Sequence, residues 1–206
     1  MIVYSIEAAL QSKLFANVIV STDDTEIAEI SRKAGAEIPF LRNPKLADHH
    51  THVSAVTADA LDRVESQGKR FDYVAQVMAC CPLRDASDIC NSYEQFVASS
   101  ADSQVSVSRY TWLSPWAAVR RDSKFHLTPL FRDQEGARSQ DLPELFCIVG
   151  AVWWARATIL QQERTYHIAG RTGWEIPWQR SIDIDTEEDF RMAELLMERA
   201  KVSANP

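Results

Sequence analysis

Two aspartates separated by one residue, Asp183 and Asp185, are the side chains in this sequence best suited to hold a hard divalent cation. They lie in the run Ser181-Ile-Asp-Ile-Asp-Thr-Glu-Glu-Asp189. The run alternates like a strand through Asp185 and then takes on helical character. On a strand, both carboxylates project from one face. Side-by-side oxygen ligands at a strand end suit Mg²⁺, which favours carboxylates and keeps waters for a phosphate substrate. The same spacing also fits a solvated edge, with Thr186 capping the helix that follows. Other polar clusters come after predicted strands: Ser21-Thr22-Asp23 after Val18–Val20, and Arg42 after the segment 36–40.

Weaker candidates read as structural. His49, His50 and His52 crowd together without a further nearby ligand, so they are expected to lie at a helix start in ordinary solvated roles. The four cysteines (Cys80, Cys81, Cys90 and Cys147) show no metal-ligand or CxxC spacing, which reads as reduced and intracellular. Cys80 and Cys81, being adjacent, are expected on opposite faces of a strand as packing residues.

These residues need a scaffold, and the first hundred positions supply its pattern. Ile2, Ile6, Ala9, Leu10 and Leu14 form a helical stripe, and Val18–Val20 is a short apolar strand. Ser21 to Asp24 can cap a helix carrying Ile27, Ile30 and Ala34, which Gly35 would stop. Residues 36–40 read as a strand, Val53 to Val64 as a helix, and Phe71 to Met78 as a strand. Ala86 to Val97 reads as a helix and Gln104 to Val107 as a strand. This alternation argues for an α/β fold with a mainly parallel sheet and helices on both faces. In such sheets ligands sit beyond the carboxyl ends of the strands, where the polar clusters are expected to converge.

The second half has a different texture. From residue 109 to about 145 the chain is rich in aromatics, prolines and charges, including Trp112, Trp116, Phe125, Leu130 and Phe131. It reads as irregular or hairpin structure with an apolar surface to cover, and a second copy of the chain is the expected partner. Ile148 to Trp154 reads as a central strand, Ala155 to Gln162 as a short helix, and 170–178 as a connection. The last helix carries Phe190, Ala193, Leu196, Met197 and Ala200 as a stripe expected to pack on the sheet.

Composition bounds the function classes. A chain of 206 residues can bury one good core, so residues 1–206 are expected to form a single domain with an extension at about 109–145. With 29 acidic against 22 basic residues the net charge is −7, which argues against a nucleic-acid-binding surface. No apolar run approaches the ~20 residues needed to span a bilayer. Glu7 interrupts the apolar start and no basic segment precedes it, so no signal peptide is expected.

Several stretches together resemble the acylneuraminate (nonulosonic acid) cytidylyltransferases, which activate sialic, legionaminic and pseudaminic acids. They are Met1–Ala9, Val18–Asp24, Leu41-Arg-Asn-Pro-Lys-Leu-Ala-Asp48, Cys81-Pro-Leu-Arg84, Arg138–Glu144, Gly150-Ala-Val-Trp-Trp154 and Asp183–Asp189. They follow the family's order over nearly the whole chain. The resemblance implies a Rossmann-like three-layer α/β/α nucleotidyltransferase fold with a small dimerisation extension. It implies transfer of CMP from CTP to the sugar acid: the anomeric hydroxyl attacks the α-phosphorus and pyrophosphate departs. It also implies Mg²⁺ on Asp183 and Asp185 and nucleotide contacts from Arg42 and Thr51. Arg132, Arg138 and Gln140 would contact the sugar, whose carboxylate invites a guanidinium. A cytoplasmic homodimer completes the picture, with no nucleic-acid or membrane partner.

The chain also departs from its look-alikes. In the family, a first strand and a phosphate-gripping loop of Arg, Gly, Ser and Lys precede the segment that resembles Met1–Ala9. None of the six glycines here belongs to such a loop. The expectation is therefore that the chain as given has little or no transferase activity. A sequence that begins at an internal methionine would account for this, and so would a silent homologue that binds nucleotide or sugar, or pairs with another subunit. His49, Ala117 and Met78-Ala-Cys-Cys81 also differ from the sialic-acid members and leave the sugar open. The Arg138–Glu144 run resembles the nine-carbon-acid enzymes more than those for an eight-carbon acid.

Overall fold

A computed structural model describes residues 1–48, 50–111 and 113–204, so the readings of His49 and Trp112 lie outside the described residues. The first helix, α1 (Ile2–Ser12), buries Ile6, Ala8 and Ala9. Helix α2 (Thr25–Lys33) starts where the Asp24 carboxylate accepts the N–H groups of Glu26 at 2.7 Å and Ile27 at 2.9 Å. The chain leaves α2 through Gly35, whose φ of 98° suits a residue without a Cβ. Helix α3 (Val53–Glu65) is capped by His52, whose ring nitrogen Nδ1 accepts the Ser54 N–H. Helix α4 (Ala86–Ser99) opens on a reciprocal capping box between Asp85 and Asp88.

The main sheet holds β1 (Tyr73–Gln76), β2 (Ser103–Arg109), β5 (Phe146–Arg156) and β6 (Thr172–Glu175) in the order β1-β5-β2-β6. Strand β5 pairs antiparallel with both β1 and β2, while β2 and β6 pair in parallel. Three strands therefore run one way and β5 alone runs against them, giving a mixed sheet with a mainly parallel sense. As read from the sequence, the apolar 148–154 segment is central.

Alternation along β5 divides the core into two layers. Trp154 faces α1 and α4, stacking on Phe15 at 5.5 Å and Phe96 at 6.2 Å. Its indole N–H is satisfied by the Ser92 hydroxyl at 2.9 Å. Trp153 faces the other way, where Ala58 and Leu61 of α3 and Leu160 of α5 (Ala157–Glu163) pack with Tyr166. Helices thus cover both faces of the sheet, and the architecture is α/β/α.

Some expectations needed correction. Residues 18–20 and 36–40 make a single parallel bridge, Ile19↔Glu37, in place of two strands. Two main-chain bonds, Glu37 N–H to the Val18 carbonyl and Val20 N–H to the Glu37 carbonyl, are the extent of their pairing among the described residues. The 170–178 connection contains β6, Thr172–Glu175, hidden by its shortness and by Gly173 in its interior. Asp183 and Asp185 lie on an extended segment outside the sheet, tied by one main-chain bond from Ile184 N–H to the Cys80 carbonyl at 2.9 Å. Strand β1 ends at Gln76 and the chain turns at Ala79–Cys80, so there is no strand for the aspartate segment to pair with. Cys80 and Cys81 accordingly sit in a turn; Cys81 is core, but Cys80 is half-buried. Helix α6 (Glu187–Ala204) buries Ala193 and leaves Phe190 exposed, a narrower stripe than the sequence suggested.

The 109–145 stretch contains a small hairpin of β3 (Val119–Arg121) and β4 (Leu127–Pro129). Asp122 organises its turn by accepting the N–H groups of Lys124 and His126. Trp116 packs edge-on against Phe131 at 4.9 Å and donates its indole N–H to the Pro143 carbonyl. Arg109, at the end of β2, anchors the stretch by pairing with both Glu144 and Glu175.

Candidate active site

Asp183 sits directly above Gly150 on β5. A Cβ at position 150 would come within 3.1 Å of Asp183 Oδ2 and 2.5 Å of the Met78 sulfur. Glycine is what lets the carboxylate and the thioether rest on the strand. The other oxygen, Asp183 Oδ1, is buried and has no hydrogen-bond partner among the described residues. Buried polar atoms are nearly always satisfied, so an orphaned carboxylate oxygen points to a missing ligand. Asp185 is exposed, leaving the pair open on one side.

Several contacts fix the aspartate segment. Arg180, three residues ahead of Asp183, makes a bidentate ion pair with the buried Asp88, both bonds 2.8 Å long. That pairing raises the Arg180 pKa, chiefly through the hydrogen bond to Asp88. Downstream, Asp189 accepts from the Asp185 and Thr186 N–H groups, and the Thr186 hydroxyl accepts from the Asp189 N–H. Thr186 therefore caps α6, as the sequence allowed. Cys80 lies against the carboxylate: burial first, then its hydrogen bond to Asp183, pushes the thiol up to about 12. It is a neutral thiol at physiological pH.

Behind this turn lies Arg84, 2 % exposed. Its Nε donates to the Ala151 carbonyl at 2.6 Å, and Nη2 donates to the Ser5 hydroxyl at 2.7 Å and to the Met78 carbonyl. Burial lowers its pKa. Arg84 thus ties α1, β5 and the 78–80 turn into one unit.

Arg42 occupies the other wall. Its N–H donates to the Thr22 carbonyl at 2.8 Å and its guanidinium to the Ser21 carbonyl. Arg42, Ser21, Thr22 and Cys80 line one cleft of about 550 Å³. Arg42 Nε is buried there without a hydrogen-bond partner among the described residues. The structure thereby brings two of the clusters expected to converge, Ser21–Thr22 and Arg42, into one cleft; Asp183 and Asp185 are not among its lining residues, and Asp183 adjoins it only through Cys80 and Met78. Thr51 lies just ahead of α3, its N–H held by Asp48 at 2.6 Å.

The sugar-binding candidates are elsewhere. Arg132 is exposed in the 109–145 stretch; Arg138 pairs with Asp141 at 2.7 Å, and Gln140 is exposed beside it. No contact joins them to Asp183 among the described residues.

A family model described as Cytidylyltransferase matches residues 1–113, more than half of the chain. The chain belongs to the cytidylyltransferase family. Among relatives, a pseudaminic acid cytidylyltransferase of Campylobacter jejuni is 28% identical over 197 residues, covering 95% of this chain and 84% of the relative. The post-translational flagellin modification protein B of Campylobacter coli is 30% identical over 215 residues, covering 99% and 86%. A solved CMP:2-keto-3-deoxy-manno-octonic acid synthetase with CTP superposes with a TM-score of 0.68 at 14% identity, covering 97% of this chain and 88% of that one. At that identity the superposition speaks to the fold alone.

Within this cytidylyltransferase framework, sequence reasoning missed Gly150, Met78, Cys80 and Arg84 as parts of the site's floor. A glycine inside an otherwise apolar strand was the available signal, since it marks a close approach. Gly150→Ala is expected to cost about 1–3 kcal/mol in chemical denaturation, the usual cost of overpacking. Adding Met78→Ala should recover part of that loss; strictly additive losses would show that the two side chains do not compete for the space.

Proposed function

We propose that this chain transfers CMP from CTP to a nonulosonic acid, releasing pyrophosphate. The observation that carries the reading is the Asp183 carboxylate held over Gly150 with an unpartnered buried oxygen, in a chain of the cytidylyltransferase family. The donor types fit Mg²⁺: two hard carboxylates two residues apart, Asp183 buried at one oxygen and Asp185 exposed. Bound there, the ion would supply charge to the α-phosphate and to the attacking oxygen. The protein's own share is alignment. Arg180–Asp88 and the Thr186–Asp189 box hold the aspartate segment still, and preorganised placement is worth several kcal/mol in such reactions.

Arg42, with Ser21 and Thr22, offers a fork of donors and carbonyls for the cytosine or ribose, and Thr51, just ahead of α3, is assigned to the same nucleotide. Arg132, Arg138 and Gln140 are assigned to the sugar acid, whose carboxylate would replace Asp141 on Arg138. The chain is read as a homodimer through 109–145, supported by exposed Leu113 (76 %), Phe125 (72 %) and Leu127 (61 %). The reading places it in the cytoplasm, where nucleoside triphosphates are made. No helix among the described residues is long and apolar enough to cross a membrane.

The test is pyrophosphate release from CTP and Mg²⁺ with sialic, legionaminic, pseudaminic and eight-carbon acids in parallel, run both on this chain and on a form preceded by a strand and a basic Gly/Ser phosphate loop. Release with a nine-carbon acid, at least tenfold above the eight-carbon acid, is expected; a factor of ten is only about 1.4 kcal/mol of discrimination. CTP binding without release for any acid would overturn the reading in favour of a silent nucleotide-binding homologue.

A further inference from the structure

His52 opens α3 and His167 lies in the connection after α5, far away in sequence. Their rings meet edge-on with centroids 5.5 Å apart. Both lie against Trp153 of β5, His167 edge-on at 4.9 Å and His52 nearly parallel at 6.5 Å. His52 is exposed and His167 half-buried, so solvent protons reach the pair. The start of α3 depends on the state of the first ring. Its Nδ1 accepts the Ser54 N–H at 3.2 Å, which it can do only while that nitrogen carries no proton. A proton there sets donor against donor and puts positive charge at the positive end of a helix.

The surroundings do little to offset such a charge. The connection after α5 brings Arg171, a further cation, and Tyr166, a buried neutral phenol. Strand β5 offers the Trp153 indole, and β1 the neutral Gln76, which accepts from the Thr57 hydroxyl at 2.8 Å. On α3, Asp59 and Asp62 are paired with Arg63 and Arg164. Glu163, at the end of α5, is exposed to solvent. In the turn ahead of α3, Asp48 accepts the N–H groups of Thr51 and of the exposed His50.

We propose that His52 and His167 form a proton-operated latch on α3: neutral, the pair keeps the cap closed; protonated, it releases the first turn. Histidine pairs of this kind titrate in the physiological range because an ordinary imidazole does so near about pH 6.5. His167 is held below that value, by burial first and then by Arg171 and His52. The unfolded chain therefore takes up this proton before the folded chain does. The stability that neutral His167 contributes is complete above about pH 6.5 and is lost as pH falls from there toward the lower folded value. Val53, Val56 and Thr57, on the turns that the latch controls, line the cleft beside Arg42. Acid thus loosens one wall of that cleft. The latch rests on packing at α3 and does not require the transferase reaction.

Melting of the full chain at about pH 7.5 and about pH 5.5 tests it, beside His52→Asn, which keeps a capping acceptor that does not titrate. The unaltered chain should lose about 4 °C more than His52→Asn over that interval. His167→Phe, which keeps a ring against Trp153, should remove part of the excess. In the unaltered chain, protection of the Ser54 amide from hydrogen exchange, taken relative to an unstructured chain at each pH, should fall about tenfold in acid. The Ser92 amide, inside α4, should keep its protection. An equal loss of melting temperature in the unaltered chain and His52→Asn would assign the acid response to other groups and overturn the proposal. Protection of Ser54 that does not change with pH would overturn it as well.

Discussion

In the form that releases pyrophosphate, Asp185→Asn is expected to lower that release by about a thousandfold, a loss of about 4 kcal/mol of transition-state stabilisation. The melting temperature should stay within about 2 °C, since exposed substitutions away from packed features are usually close to neutral. The two expectations come apart because of where Asp185 sits. Its carboxylate is exposed, and its main chain is fixed independently through Asp189. Asparagine keeps the shape and removes the charge that a divalent cation needs. Asp183→Asn should cost similar activity, but it changes a buried oxygen and so tests folding as well as chemistry. Binding of Mn²⁺ with CTP, followed by electron spin resonance, gives a second readout. Near-normal rates with unchanged Mn²⁺ affinity in Asp185→Asn would remove Asp185 from the site.

The second large effect is on stability. Arg84→Ala should cost about 3 kcal/mol, read as a lower urea midpoint with an unchanged slope. Two acceptors lose the donor given for them, the Ala151 carbonyl and the Ser5 hydroxyl, and the Met78 carbonyl is left with the Ser5 O–H at 3.2 Å. Each buried acceptor left unsatisfied costs about 1–3 kcal/mol, against a typical total stability of about 5–15. Arg84→Lys should recover little, because a single ammonium on a flexible stem cannot span the fork that reaches three elements. A loss below about 1 kcal/mol in Arg84→Ala would mean that water takes over these acceptors.

How far the sequence reveals the site depends on the range of the signal. Helix boundaries were legible because caps are local: Asp24 and Gly35 each act within a few residues of where they stand. The two-faced sheet was legible through the alternation of strands with helices; that Trp153 and Trp154 go to opposite layers emerges only from the structure. The aspartate segment was legible as chemistry but not as geometry. Whether it pairs as a strand depends on where β1 stops, more than a hundred residues earlier. Gly150, Cys80 and Arg84 were hidden for the same reason. Their roles exist only once β5, the 78–80 turn and α1 are packed together. The bridge at Ile19 was over-read as a strand because apolar β-branched runs carry strand propensity whether or not a neighbour is present to complete the ladder.

The central claim is that Asp183 and Asp185 together hold a divalent cation beside a cytidine nucleotide. Crystals soaked with MnCl₂ and CTP test it directly through anomalous scattering from manganese. A peak about 2.1 Å from a carboxylate oxygen of each aspartate, with the nucleotide's innermost phosphate also bound to it, is the predicted result. Nucleotide density with no peak at the two aspartates, or manganese held wholly by other side chains, would contradict the account.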